Sequence, residues 1–236
     1  MSLSLLLLGF ILGMRHATEA DHVAAMATLV GRGHGLRSTA LQGAAWGLGH
    51  TITLLLFGGI ALLVGGVIPE HYAQALEATV GVMLVILGLD LLRRLRQRHI
   101  HFHVHQHAGG VRHFHAHSHP PGAPHDAESH HHEHEQHLPR RALLVGLMHG
   151  LAGSAALVLL AAESTHSAYT GLLYILVFGT GSILGMAALS VVIMLPMRRL
   201  QATGMTRAHG IVQLGLGLVT IGLGAQILWD NLSALA

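Results

Sequence analysis

The chain contains no cysteine, which excludes disulfides and thiolate metal sites together. It contains no lysine either; all thirteen basic side chains are arginines. Charged residues make up 10% of the sequence, far below the share of about a quarter usual in soluble domains. Aromatic residues are held to 4%, while 51% of residues are hydrophobic and thirty are glycine. Glycine at that level is expected where helices pack closely in lipid. No HExxH zinc-protease motif and no Ser-His-Asp set at comparable depth is found, so the chain is not expected to be an enzyme. No nucleotide-binding GxxxxGK[ST] segment occurs, so any energy source is an ion gradient, a membrane potential or a separate subunit. The arginines lie scattered through short loops, which argues for topology rather than for a nucleic-acid partner.

What is present reads as an all-α, polytopic membrane helix bundle. A span needs about 20 mostly apolar residues, and candidates fall at residues 3–30, 39–67, 73–92, 141–162, 168–196 and 208–229. The apolar start lacks a positive flank and a small-x-small cleavage signal, so it reads as part of the first span rather than as a signal peptide. With six spans, Arg32, Arg37, Arg93, Arg94, Arg96, Arg98, Arg112, Arg140, Arg141, Arg198, Arg199 and Arg207 all fall on one face. The opposite loops carry Glu70, Glu77, Glu163 and Asp230. The arginine face is therefore expected to be cytoplasmic, in a bacterial plasma (inner) membrane with both termini outside.

The halves on either side of residues 99–138 look alike. Gly13-Met-Arg-His16 matches Gly146-Leu-Met-His149, Gly47-Leu-Gly-His50 falls opposite Gly179-Thr-Gly-Ser182, and Val80-Gly81 through Gly88 resembles Leu214-Gly215 through Gly222. The separations are 133, 132 and 134 residues. This predicts two three-helix repeats, residues 1–98 and 139–236, the second inverted, with an ion site where they meet.

The first span is interrupted by Arg15, His16, Glu19, Asp21 and His22. Ionisable side chains at lipid depth are costly unless they face protein or water. One reading is structural, an Arg15–Glu19 pair at i,i+4 with two satisfied histidines. The other is a metal site, since imidazole suits divalent Zn, Cu, Fe and Ni and a carboxylate balances their charge. His16 and His22 would lie about 240° apart on a regular helix. The metal reading therefore requires the first helix to unwind or kink at the motif.

His16-Ala-Thr-Glu-Ala-Asp21-His22 resembles the H-x4-D-H signature of the nickel/cobalt transporter (NiCoT) family. Leu48-Gly-His50-Thr51 is similar to that family's second histidine motif. His149-Gly-Leu-Ala-Gly-Ser-Ala-Ala156 resembles the urease-accessory (UreH-like) permease branch of the same superfamily. The chain departs from the pattern in having Glu19 where Asp is common, and six expected spans where many members have eight. The resemblance implies that Ni²⁺ or Co²⁺ is the transported ion, most simply by uptake, with no resident cofactor. It assigns His16, Asp21, His22 and His50 as ligands, with His149 and Glu19 as further candidates. Thr51, Thr53 and Arg15 are expected to support the ligands.

Fifteen of the 23 histidines fall within residues 99–137, among them His101, His103, His105, His130, His131 and His132. Such a tract is expected to be disordered, cytoplasmic and weakly metal-binding. It is suited to buffering metal, or to meeting a cytoplasmic metallochaperone or a second copy of the chain. Efflux, a non-transporting membrane metal sensor, and an intramembrane haem protein using His16, His22, His50 or His149 are the competing readings.

Overall fold

The computed structural model describes residues 3–30, 35–64, 69–97, 101–106, 112–117, 139–151, 167–203 and 205–235. In chain order the elements are α1 (Leu3–His16), α2 (Ala20–Val30), α3 (Leu36–Val64), α4 (Glu70–Gln97), β1 (His101–Gln106), β2 (Arg112–His117), α5 (Arg140–Gly150), α6 (Ala168–Ala202) and α7 (Thr206–Leu235). Helices α3, α4, α6 and α7 are each long and apolar enough to cross a membrane. Helices α1 and α2 qualify together as one span bent by 56°. Large apolar side chains such as Leu56, Ile60, Ile86, Leu184, Val192 and Leu218 stand exposed on these helices. That is the arrangement lipid imposes, since backbone polar groups are satisfied within each helix and apolar groups face outward.

Five of the six expected spans thus have a counterpart. Of residues 141–162, only the part within α5 is described, and the remainder lies outside the described residues. The all-helical expectation needs one correction. Within the tract expected to be disordered, β1 and β2 pair antiparallel, setting His101 opposite His117, His103 opposite His115 and His105 opposite His113. The physical reason is the strict alternation His-Phe-His-Val-His, a period-2 pattern that favours a strand. His130, His131 and His132 lie outside the described residues.

Helix α3 packs on α6 and α5, α4 on α7, and α1 on α6, while α2 lies against α4, α6 and α7. Glycine permits these approaches. A Cβ at Gly49 of α3 would strike the backbone of Leu143 and Leu147 in α5, and one at Gly181 of α6 would strike Phe10 and Met14 in α1. Gly13 of α1 meets the backbone of Phe178 and Ser182 in α6, and Gly146 of α5 meets Trp46 in α3. Hydroxyls reinforce the seams: Ser182 Oγ donates to the Gly13 carbonyl at 3.2 Å, and Ser190 Oγ to the Thr39 carbonyl at 2.9 Å. Trp46, Met26, Leu29, Leu84 and Met186 fill the core between these helices.

Candidate metal centre

The site is made by the break between α1 and α2. The Thr18 amide donates to the Arg15 carbonyl (2.8 Å) and the Glu19 amide to the His16 carbonyl (3.1 Å), i→i+3 bonds that tighten the last turn of α1. The Val23 amide then donates to the Glu19 carbonyl at 2.9 Å as α2 begins. Asp21 in the first turn of α2 accepts the His22 backbone amide at 2.8 Å, a favourable place for a carboxylate at a helix N-terminus. The break brings the His16 and His22 rings to 4.4 Å between centroids, as the metal reading required. It also removes the helical spacing that an Arg15–Glu19 pair would need. Glu19 turns instead to His16 (Oε1 to Nδ1, 2.9 Å), and the side chain of Arg15 is exposed.

His50, wholly buried in α3, brings its Nε2 to 3.2 Å from Nε2 of His16. Two ring nitrogens so placed share either one proton or one cation. His22 lies 5.4 Å from His50 between centroids, and one ligand atom from each of His16, His22 and His50 falls within 4.8 Å of the others. Asp21 joins a second set. Its Oδ1 accepts from Nδ1 of His22 at 2.9 Å and its Oδ2 from Nε2 of His149 at 3.0 Å. An ionised carboxylate only accepts, so both nitrogens carry their protons. Nε2 of His22 and Nδ1 of His149 are then bare lone pairs, and both are buried without a hydrogen-bond partner. A carboxylate fixing one ring nitrogen while the other is left basic is the arrangement that prepares an imidazole for a metal.

All four histidines, Asp21 and Glu19 therefore meet at one place. Thr51 and Thr53 do not serve the imidazoles as expected. Thr51 Oγ1 bonds the carbonyls of Gly47 (2.8 Å) and Gly179 (3.2 Å), and Thr53 Oγ1 those of Gly49 (3.2 Å) and Leu147 (2.9 Å). A hydroxyl inside an apolar helix finds the nearest carbonyl first, so these residues tie α3 to α6 and α5. Two wall residues escaped the sequence reading. Trp46 stacks on His22 (5.5 Å between centroids, 18° between planes), and Phe178 lies 5.4 Å from His16. The available signal was spacing, since Trp46 stands one helical turn before His50 and Phe178 stands 132 residues further on.

The fold and the site define a polytopic helical membrane protein. The chain belongs to the family described as the cytochrome c biogenesis protein transmembrane region, whose model matches residues 4–219. It is 38% identical over 202 residues to the urease accessory protein UreH of Bacillus sp. (strain TB-90), covering 82% of this chain and 78% of that relative. No solved structure matches it.

Proposed function

We propose that the protein is a permease of the nickel/cobalt transporter superfamily, carrying Ni²⁺ (or Co²⁺) into the cell through the His16–His22–His50 set. The observation that carries this reading is the convergence of three largely buried imidazoles, two of them steadied by carboxylates, inside a broken span. Imidazole donors suit Ni²⁺ and its neighbours rather than Mg²⁺ or Ca²⁺. A haem reading fits less well. The rings lie between 4.0 Å (His22–His149) and 6.0 Å (His50–His149) apart, which leaves no slot for a porphyrin between them.

The architecture we infer is six spans in two inverted repeats. Gly49 and Gly181 are repeat mates, and so are their contacts: Leu143 and Leu147 correspond to Phe10 and Met14 at a separation of 133. Gly13 on Phe178 answers Gly146 on Trp46 in the same way. Exchange of the halves would map these glycine contacts onto one another, which supports a pseudo-two-fold axis. The arginine loops and the histidine tract are placed on the cytoplasmic side of the plasma (inner) membrane, where the tract passes metal on. Uptake of radioactive Ni²⁺ and Co²⁺ by expressing cells tests the reading. Accumulation above a vector control is expected; depletion marks an exporter, and no difference marks a protein that binds without transporting.

A further inference from the structure

We propose that Asp21 and His149 form a second metal station beside the His16–His22–His50 set, with His22 common to both. The ion is handed from Nε2 to Nδ1 of His22, the Nδ1 proton passing to the vacated Nε2 and the Nε2 proton of His149 to its bare Nδ1, so that both rings stay neutral. This rests on the transport reading above and adds a step to it. The ligand atoms fall into two compact groups, His16 with His22 and His50, and Asp21 with His22 and His149. Nδ1 of His22 is on Asp21 while its Nε2 is buried and without a partner, so the ring has one nitrogen to offer each group. His149 is 2% exposed, lies 4.0 Å from the His22 ring but 6.0 Å from the His50 ring, and keeps a buried, unpartnered Nδ1. That lone pair can take up the ring proton when an ion replaces it at Nε2 beside Asp21.

The two stations differ in charge. The first offers three imidazoles, with its carboxylates one hydrogen bond away; the second places Asp21 in direct reach of the ion. Two dications sharing one imidazole would repel strongly in a site shielded from water, so occupancy alternates. A dication in the first station thus leaves by exchanging neutral ligands for a carboxylate, without entering lipid.

Trp46 makes this testable. It stacks on His22 and lies 5.6 Å from the His149 ring, whereas Trp229, the second of two tryptophans, is 74% exposed. In full-length protein carrying Trp229→Phe, quenching of Trp46 by Co²⁺ or Ni²⁺ reports ions at the stations and not in the histidine tract. His149→Gln keeps an N–H donor for Asp21 but removes the bare ring nitrogen. It should leave the quenching midpoint within about twofold while lowering Co²⁺ flux into proteoliposomes at least about tenfold. His50→Ala should raise the midpoint at least about tenfold yet keep saturable quenching, and the double variant should lose it. Unchanged flux in His149→Gln overturns the second station. So does loss of tight quenching in that variant, which would make His149 part of one undivided site. Equal loss in His50→Ala and the double variant also overturns it. No quenching by either ion in the Trp229→Phe parent would instead bring down the metal reading itself.

Discussion

Six positions of sequence separate His16 from His22, and a three-residue turn decides what they can do together. On a continuous helix the two imidazoles point apart; across the break they meet, with Asp21 between His22 and His149. The aspartate acts on two rings at once, through Oδ1 and Oδ2. Asp21→Asn keeps the shape but removes the charge and turns one acceptor into a donor, so at least one ring must turn away. Loss of a carboxylate that orients a metal-binding histidine costs about 10–100-fold in affinity. That loss is expected in a Co²⁺ titration of the purified protein, with the far-ultraviolet helical signal unchanged. A change below about threefold would show that the imidazoles keep their orientation without the carboxylate. The histidines and acids were legible in the sequence because ionisable groups at lipid depth stand out against apolar neighbours. Thr51 and Thr53 were misread because a helical threonine carries no sequence mark of the carbonyl it will bond.

At the level of elements, legibility followed hydropathy and failed where composition masked a pattern. The long apolar runs became α3, α4, α6 and α7 within a few residues of their expected bounds, α4 extending past its arginines to Gln97. There Asp90 pairs with Arg94 of the same helix and with Arg141 of α5, tying two arginine-bearing ends together. The Arg94 pair follows from i,i+4 spacing on one helix, whereas the Arg141 pair was not foreseen because it crosses from one half of the chain to the other. The histidine tract was read by its composition, and the alternation that pairs β1 with β2 was passed over. A lone two-stranded hairpin is marginally stable in water, and among the described residues its main packing is of β1 on β2 rather than on the helices. Deleting residues 99–137 is accordingly expected to leave the helical content and the Trp46 quenching midpoint within about twofold of the parent, since a tract outside the packed core adds little to it. The bound-metal count should fall. If the deletion abolishes tight quenching, the tract supplies a ligand to the intramembrane centre.

On the scale of the molecule, the chain folds a charged motif into an apolar bundle by making the halves meet around it. Helices α1, α2, α3 and α5 each present at least one candidate ligand, and α6 supplies the wall through Phe178. No single helix carries the site, which is why the sequence named its residues without showing their arrangement. An ion held this way competes with protons, because each imidazole must be neutral to bind. Protonation takes ligands away as pH falls and returns them as it rises. Affinity for Ni²⁺ or Co²⁺ should therefore be near its full value at about pH 7.5 and weaken as the pH is lowered toward about 4. A centre built from carboxylates and carbonyls, as Mg²⁺ or Ca²⁺ prefers, would bind Mg²⁺ in place of Co²⁺. Titration of the Trp229→Phe protein with Co²⁺ across that range, repeated with Mg²⁺ in excess, separates the two. Weakening toward acid with no displacement by millimolar Mg²⁺ is the expected result. Mg²⁺ binding as tight as Co²⁺ would mean that the converging imidazoles are packing and not ligands.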